Sequence, residues 1–331
     1  MEMMRAVVQT APGGADTLQL AMVERPQPDE GQLLVRVMAA GVNRADVVQR
    51  EGRYPPPPGA SPILGLEVAG WVEAVNGPSR FAPGDAVFGL VRGGAYAEYA
   101  LLESGLALPK PDVMSWAEAA SLPEAWMTAW LNLVEVAGLA ADETLLVHAG
   151  ASGVGLAAIQ LGRLLEARVF ASASSEAKRL RCLELGAEFA FAAREAPGFA
   201  APLKARGGVD VVLDPVGEPY LAANLAALKQ DGRLVLIGVM GGVDGHVNLG
   251  HLLVKRLSLR GSTLRSQPLA VQAKLARALE DVVLPALQQG RAQLTLDSVY
   301  PLAAVADAHT WLEQDCNVGK VVLDLGGVPG Y

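Results

Sequence analysis

The sequence predicts an α/β protein with two domains, one built on a doubly wound parallel sheet and the other mostly β. A chain of 331 residues exceeds the usual size of a single hydrophobic core. Short β-rich runs fill the first third of the chain, whereas apolar runs alternate with helical segments from Thr144 onward. Because 51% of the residues are apolar and only 19% are charged, both domains can bury a core, and a disordered chain is excluded.

The first third of the chain has the pattern of a compact, mostly antiparallel β domain. Between residues 4 and 108, candidate strands at 33–38 and 67–74 alternate with turns such as Pro83-Gly84-Asp85. Glycine and proline mark the turns between short strands. We therefore expect several strands joined by tight turns in this part.

The pattern changes after Ser115. Residues 116–138 lack β alternation and are rich in helix formers, and Ser115 is placed to cap the start of a helix. The apolar runs that follow are typical of parallel strands covered on both faces. The predicted strands are residues 145–148, 168–171, 209–213, 233–237, 257–261 and 320–325, and a helical segment covers 270–290.

The charge and the cysteine content limit the possible partners. A net charge of −8 disfavours a surface that binds nucleic acid, so we expect small-molecule partners. Cys182 and Cys316 are too few for a disulfide framework or a four-cysteine zinc site, which fits a reducing compartment. The sequence has neither a signal-peptide pattern nor an apolar stretch long enough to span a membrane. These features predict a cytoplasmic protein that does not bind membranes.

The strongest motif is the glycine-rich turn Gly150-Ala151-Ser152-Gly153-Val154-Gly155. It follows the strand that ends at His148 and opens a helix over residues 156–165. In a strand, turn and helix of this kind, small residues let the backbone approach a pyrophosphate, whose charge the helix N-terminus stabilises. Ser152 stands where the middle glycine of the fingerprint belongs, and its hydroxyl can donate to phosphate. A tight turn without a ligand is the alternative, but the flanking elements favour a Rossmann-type nucleotide site.

The second strand of this domain bears on the choice of cofactor. An NAD site normally places Asp or Glu at its end, whereas this strand runs into Ser172-Ala173-Ser174-Ser175. Lys178 and Arg179 follow and suit the 2′-phosphate of NADPH, although Glu176 would repel that phosphate. The alternative is that Lys178 and Arg179 form a solvated helix face.

Several further motifs carry a resemblance that extends over essentially the whole chain. They are residues 40–46 (AGVNRAD), 65–67 (GLE), 83–87 (PGDAV), 94–99 (GAYAEY), 148–155 (HAGASGVG) and 317–322 (NVGKVV). In content and order they resemble the medium-chain dehydrogenase/reductase superfamily, and within it the zinc-free quinone oxidoreductase branch that includes zeta-crystallin-like enzymes.

The resemblance implies a domain organisation. A GroES-like catalytic domain is expected over residues 1–124 and 267–331, with a Rossmann NADPH-binding domain over 125–266 and the nicotinamide in the cleft between them. It also implies a homodimer, formed through the edge strand at 257–261.

The resemblance also implies that the protein binds no metal. Zinc alcohol dehydrogenases of the superfamily carry a cysteine near position 43 and a histidine near position 66, where this chain has Asn43 and Leu66. Neither residue is a suitable zinc ligand. Glu67 is retained, and without metal-binding neighbours it is expected to be structural.

Without zinc there is no strong Lewis acid to polarise an ordinary ketone, whereas a quinone is intrinsically electrophilic. The predicted function is therefore that of an NADPH-dependent quinone oxidoreductase, which transfers hydride to a quinone or a related conjugated carbonyl compound. Two alternatives stand beside it. One is an NADPH-dependent enone or enoyl reductase with Tyr54 as the acid, and the other is a non-catalytic NADPH-binding redox sensor or structural protein.

By the same resemblance, Asn43, Arg44, Asp46 and Tyr54 are the candidate catalytic residues. Each has a structural alternative: a side-chain cap of its turn for Asn43, packing on prolines for Tyr54, and a local ion pair for Arg44 and Asp46. The candidate cofactor-binding residues are Thr128, Gly150, Ser152, Gly153, Val154, Gly155, Ser174, Lys178, Val216, Gly238, Met240, Leu264, Arg265 and Asn317.

Relatives often carry a tyrosine near position 193 as a second 2′-phosphate contact. Here Ala193 is followed by Arg194, so either Arg194 substitutes or NADPH binds less tightly.

Overall fold

The computed structural model describes residues 2–192 and 198–326, so Ala193 and Arg194 lie outside the described residues. The strands are β1 (Met3–Gln9), β2 (Leu18–Glu24), β3 (Gln32–Val42), β4 (Glu67–Asn76), β5 (Ala86–Leu90), β6 (Tyr99–Glu103), β7 (Ala107–Pro109), β8 (Thr144–Val147), β9 (Arg168–Ala173), β10 (Phe189–Ala192), β11 (Val209–Asp214), β12 (Leu228–Leu236), β13 (Ser258–Gly261), β14 (Leu296–Pro301) and β15 (Lys320–Asp324). The helices are α1 (Arg44–Arg50), α2 (Trp116–Ala120), α3 (Pro123–Trp130), α4 (Gly153–Leu164), α5 (Glu176–Glu184), α6 (Ala200–Ala205), α7 (Glu218–Ala227), α8 (Leu249–Lys255), α9 (Leu269–Ala278), α10 (Leu284–Gln288) and α11 (Val305–Glu313).

The chain forms two compact units. The first comprises Met1–Ala125, Arg265–Pro285 and Leu294–Tyr331, and the second comprises Trp126–Leu264 and Ala286–Gln293.

The second unit is built on the predicted parallel sheet. Its six strands lie in the order β10-β9-β8-β11-β12-β13, and every neighbouring pair is parallel. All four residues of β8 are buried, as expected for a central strand with helices on both faces. This strand order reverses at β8, which places the carboxyl end of β8 at the switch point where ligands of such sheets bind. The predicted doubly wound fold is confirmed.

The first unit is the predicted mostly β structure. Its seven-stranded sheet follows the order β14-β15-β3-β4-β5-β7, with β6 paired to β3, and a separate antiparallel pair joins β1 to β2. The pairs are antiparallel except for β14 with β15. Thus β15, late in the chain, pairs with β3 near its start and brings Lys320 to the end of β3. Strand β14 is missing from the sequence-based prediction.

One predicted helix is interrupted. The helical segment predicted after Ser115 is divided in the structure: α2 ends at Ala120, α3 begins at Pro123, and a π-helix (Leu131–Val136) follows. Proline has no backbone N–H and is tolerated in the first turn of a helix, so Pro123 starts a new helix rather than continuing α2. Among the residues that the structure describes, no helix is long and apolar enough to cross a membrane.

Candidate active site

The glycine-rich turn connects β8 to α4 in the second unit. The Ser152 hydroxyl oxygen caps α4 by accepting a hydrogen bond from the Gly155 N–H at 3.0 Å. The Gly150 N–H donates to the Ser172 carbonyl at 2.8 Å, which ties the turn to β9. Ala149, between β8 and the turn, has a left-handed conformation with φ of 49°. These contacts hold the turn in one defined shape.

Two glycines of the turn have no room for a side chain. A Cβ atom on Gly155 would lie 2.4 Å from the Ala149 carbonyl oxygen and 2.6 Å from that of Gly150. On Gly150 it would lie 2.9 Å from the Cys182 sulfur. The first N–H groups of α4, those of Gly153 and Val154, have no acceptor within the helix. Close-packed backbone with donors at a helix N-terminus fits the pyrophosphate of a dinucleotide.

A buried chain of hydrogen bonds joins three strand ends beneath this turn. His148 Nε2 lies 2.7 Å from Asn224 Oδ1, and Asn224 Nδ2 donates to the Asp214 carboxylate at 2.9 Å. His148 must therefore carry its proton on Nε2, so that Nδ1 accepts from the Ser172 hydroxyl at 2.7 Å. Burial lowers the pKa of His148 to about 4, which keeps the ring neutral. The network fixes the ends of β8, β9 and β11 relative to one another.

The loops after β11 and β12 meet at the same edge of the sheet. Asp214 accepts hydrogen bonds from the N–H groups of Val216 at 2.6 Å and Gly217 at 3.1 Å. The Met240 N–H donates to the Pro215 carbonyl at 3.1 Å, and a Cβ on Gly238 would lie 2.9 Å from that same oxygen. The structure thus brings Val216, Gly238 and Met240 together.

The other predicted cofactor residues of this unit lie in two further places. The Thr128 carbonyl accepts from Asn132 Nδ2 at 2.8 Å, and the Ser262 hydroxyl donates to Asn132 Oδ1 at 2.6 Å, two residues before the buried Leu264. Ser174 follows β9, and Lys178 lies in the first turn of α5.

Lys178 is only 6% exposed, so it is not part of a solvated helix face. Glu176, whose charge weakened the NADPH prediction, is exposed.

In the first unit, Asn43 belongs to a compact group of charged and polar side chains. Its amide oxygen accepts from the Lys320 ammonium at 2.5 Å, and its amide nitrogen donates to Glu67 Oε1 at 2.9 Å. Lys320 also forms a buried ion pair with Glu67 at 2.6 Å. Glu67 Oε2 accepts from the Glu124 N–H at 2.8 Å. Glu67 thus accepts from three donors, and Asn43 is held by two charged partners.

These residues do not fit a catalytic zinc ion. The Asn43 amide is engaged by an ammonium group, and Leu66 offers no ligand atom. Across residues 2–192 and 198–326, no three His, Cys, Asp or Glu side chains converge in a way that would hold a metal.

Asp46 links two loops of the first unit. Its carboxylate accepts hydrogen bonds from the Asn43 N–H at 2.8 Å, the Gly65 N–H at 3.1 Å and the Tyr96 hydroxyl at 3.0 Å. Gly65 has φ of 96°, and a Cβ there would lie 2.5 Å from the Tyr96 ring, so only glycine fits. Burial raises the pKa of Asp46 to about 6.

Through the Tyr96 hydroxyl, Asp46 is connected to further buried side chains. The Tyr96 hydroxyl lies 3.1 Å from His309 Nε2, and Arg50 Nη1 lies 3.3 Å from His309 Nδ1. Arg50, which is 1% exposed, forms two hydrogen bonds to the Glu313 carboxylate, at 2.9 Å and 2.6 Å. The buried side chains of α1 and α11 therefore support the turn that presents Asn43.

The interpretation of Arg44 and Asp46 as a local ion pair is wrong. Arg44 donates to the Leu312 carbonyl at 2.6 Å, whereas Asp46 is satisfied by the three donors described above. Asn317 uses its amide locally, donating to the Gly319 carbonyl at 2.8 Å before β15 begins.

Tyr54 and Arg265 come together, with the guanidinium carbon 5.5 Å from the centre of the tyrosine ring. Arg265 lines a small pocket in the first unit, together with Leu66, Leu90, Val91, Arg92, Glu124 and Gln272.

The sequence-based prediction missed Lys320, Glu124, Tyr96 and His309. Lys320 lies within a motif that carried the resemblance, but an isolated lysine before an apolar strand gives no indication of burial.

Comparison with known proteins agrees with this geometry. Residues 29–112 match the family described as "Alcohol dehydrogenase GroES-like domain", and residues 153–281 match "Zinc-binding dehydrogenase". The chain is 34% identical over 330 residues to the quinone oxidoreductase of Lama guanicoe, covering 98% of each protein. The chain belongs to the medium-chain dehydrogenase/reductase superfamily, in its quinone oxidoreductase branch. It is therefore an oxidoreductase that uses a nicotinamide cofactor and a small-molecule substrate.

Two solved structures extend the comparison. A mycobacterial protein solved as a complex with NADPH is 31% identical, with a TM-score of 0.86 over 97% of this chain and 99% of that one. The CurK enoyl reductase is 28% identical, with a TM-score of 0.85 over 97% of this chain and 99% of that one.

The glycine turn gives a direct test. We expect Gly155→Ala to raise the Kd for nicotinamide dinucleotides by about tenfold or more, because the added Cβ displaces backbone donors whose bonds to a charged group are each worth about 1.5–3 kcal/mol. Titration calorimetry measures the change. Gly105→Ala is the control, because a Cβ there lies in ordinary contact, 3.8 Å from the Ala273 Cβ. Unchanged affinity in Gly155→Ala would contradict the assignment of this turn to the pyrophosphate.

Proposed function

We propose that this protein is a zinc-independent NADPH:quinone oxidoreductase, which transfers hydride from NADPH to a quinone or a related conjugated carbonyl compound. The observation that carries the proposal is the position of the Lys320 ammonium, which contacts Asn43 and Glu67. Asn43 stands where zinc-dependent members of the superfamily carry a metal ligand. A lysine cation bound to that side chain makes a second cation beside it unfavourable.

The proposed substrate class follows from the donors that this chain offers. Lysine and asparagine supply hydrogen bonds but polarise a carbonyl far less than a metal ion does. A quinone needs less polarisation, because the charge that it gains is delocalised over an aromatic oxygen. The protein then contributes mainly by aligning the reactants and excluding water. Asn43 and Tyr54 are proposed to contact the acceptor, and Asp46 to hold the Asn43 turn.

NADPH, when bound, supplies the hydride. We assign its pyrophosphate to Gly150, Ser152, Gly153, Val154 and Gly155. Ser174 and Lys178 are proposed to recognise the 2′-phosphate. The remaining candidates for contact with its ribose and nicotinamide parts are Thr128, Val216, Gly238, Met240, Leu264, Arg265 and Asn317.

An enone or enoyl reductase is the second candidate function. It is favoured by the similarity to the CurK enoyl reductase described above. Both functions need the same hydride delivery, and they differ in the acceptor.

Steady-state oxidation of NADPH distinguishes these functions. We expect NADPH to be oxidised faster with 1,4-naphthoquinone than with an α,β-unsaturated ketone. Simple alcohols should not be oxidised. The quinone reductase activity should be complete after dialysis against a chelator. Elemental analysis of the same sample should show less than stoichiometric zinc. Activity that is lost with the chelator and restored by zinc would overturn the proposal, and tight NADPH binding without turnover of any acceptor would indicate a non-catalytic protein.

The cofactor preference is tested at Lys178. We expect Lys178→Met, which keeps the apolar stem, to raise the Kd for NADPH about 10- to 100-fold, since a hydrogen bond to a charged group contributes about 1.5–3 kcal/mol. The Kd for NADH should change little. The control is Lys204→Met, at an exposed lysine of the same unit. Equal losses for both nucleotides would remove the assignment of Lys178 to the 2′-phosphate.

We also propose a homodimer that forms through β13 and α8. Strand β13 lies at an edge of the parallel sheet. Nearby in sequence, α8 exposes large apolar side chains, with Leu249 72%, Leu253 79% and Val254 75% exposed. An open strand edge preceded in the chain by exposed apolar residues is a surface that a second copy can cover. A cytoplasmic location is proposed with it, because Cys182 and Cys316 are both free thiols.

Light scattering coupled to gel filtration tests the dimer. We expect the unmodified protein to have twice the mass of one subunit, and Leu253→Asp to shift it towards the monomer because a carboxylate is costly to bury in an apolar interface. Val113→Asp, at an apolar residue of the first unit that is 85% exposed, should leave the mass unchanged. A monomeric mass for the unmodified protein would contradict the proposal.

A further inference from the structure

The small pocket of the first unit contains two groups that hydride transfer alone does not require. Glu124 and Arg265 line it together with the apolar side chains of Leu66, Leu90 and Val91. Leu66 stands where zinc-dependent relatives place a metal ligand, so the pocket adjoins the position at which those relatives carry out their chemistry. Through the hydrogen bond of its N–H to Glu67, Glu124 is also connected to Asn43 and Lys320.

Glu124 lies in surroundings that favour its protonated form. Burial of its carboxyl group and the neighbouring Glu67 carboxylate raise its pKa to about 8, with a smaller contribution in the same direction from Asp46. The positive charges of Lys320 and Arg265 oppose the shift but do not cancel it. Arg92, whose carbonyl accepts from Arg265, also lines the pocket. Glu67 itself cannot serve as an acid here, because its two oxygens accept hydrogen bonds from three donors.

Arg265 carries a donor without an acceptor. Its Nη1 donates to Gln49 at 2.6 Å and its Nη2 donates to the Arg92 carbonyl at 3.1 Å. Its Nε is buried and has no hydrogen-bond partner among the residues that the structure describes. A buried N–H of a charged group without an acceptor is costly, and a ligand oxygen in the pocket would relieve that cost.

We propose that this pocket receives the carbonyl end of the acceptor, with Glu124 as the acid that protonates the reduced oxygen and Arg265 Nε as the donor that stabilises it. This inference rests on the proposed function. Hydride transfer adds two electrons and one hydrogen to the quinone and leaves an oxyanion. The Glu124 O–H bond then breaks as an O–H bond forms on that oxygen, which yields the neutral hydroquinone. Glu124 becomes a carboxylate and regains its proton from water.

The pocket also indicates the class of acceptor. Leu66, Leu90 and Val91 contribute apolar side chains to its lining, beside its charged groups. The Arg265 guanidinium favours a substrate whose oxygen becomes negative during the reaction. An acceptor whose reduced oxygen is strongly basic should depend most on Glu124, whereas a highly electrophilic quinone with a weakly basic product should depend on it least.

The variant Glu124→Gln removes the acidic proton and retains the backbone N–H that binds Glu67. With NADPH and 1,4-naphthoquinone, we expect kcat to fall about 100-fold, the lower end of what general acid catalysis contributes. The Kd for NADPH should be unchanged. In the unmodified protein kcat should be constant at low pH and fall above about pH 8, because only the protonated acid can donate. In Glu124→Gln this alkaline fall should disappear. Glu30→Gln, at an exposed glutamate of the same unit, is the control.

Infrared spectroscopy supplies a readout that does not depend on turnover. In the cofactor-free protein, the absorption of a protonated carboxyl group should persist above neutral pH, disappear as the pH rises through about 8, and be absent from Glu124→Gln. If Glu124→Gln does not fold, this titration in the unmodified protein and the activity of Glu124→Asp, which keeps the acid, still test the inference.

The outcomes separate this inference from the proposed function. An unmodified protein that reduces no quinone or enone overturns the proposed function, and the inference with it. An active protein whose kcat and alkaline limb are unaffected in Glu124→Gln overturns the inference alone. So does an infrared titration that finds Glu124 ionised at neutral pH.

Discussion

The buried ion pair between Glu67 and Lys320 is the interaction on which the first unit's site depends. Glu67 is fully buried, and a carboxylate in that position is tolerated only when its oxygens are satisfied. Lys320, the Asn43 amide and the Glu124 N–H supply the donors. Four separate stretches of the chain are thereby held around one carboxylate. A Cβ on Gly41 would lie 2.0 Å from Glu67 Oε1, so glycine at this position of β3 leaves room for the Glu67 carboxylate.

The second unit uses a different kind of constraint. Its site is held by a chain of buried hydrogen bonds, in which His148 joins Ser172 to Asn224 and Asn224 donates to Asp214. These residues lie at strand ends next to the glycine turn and keep the loops in register. The low pKa of His148 leaves its ring uncharged near neutrality. At the other end of the network, burial raises the pKa of Asp214 to about 6.

The large elements could be predicted because they depend on local pattern. The runs that became β8, β9, β11 and β12 are apolar and separated by helical segments, and the glycine turn lies between a strand and a helix. The break at Pro123 was not predicted, because helix formers lie on both sides of the proline and favour a continuous helix. Strand β14 was missed because its residues are half-buried or exposed and form no continuous apolar run.

By itself, the sequence determined the parallel sheet, the mostly β unit and the glycine-rich turn between a strand and a helix. These follow from residue types and spacings along the chain. Only the tertiary structure decided that Lys320 reaches Asn43, that Arg44 and Asp46 have different partners, and that Glu124 shares a pocket with Arg265. Such contacts join residues far apart in the chain, and burial, which sets the charge state of an acid, is a property of those contacts.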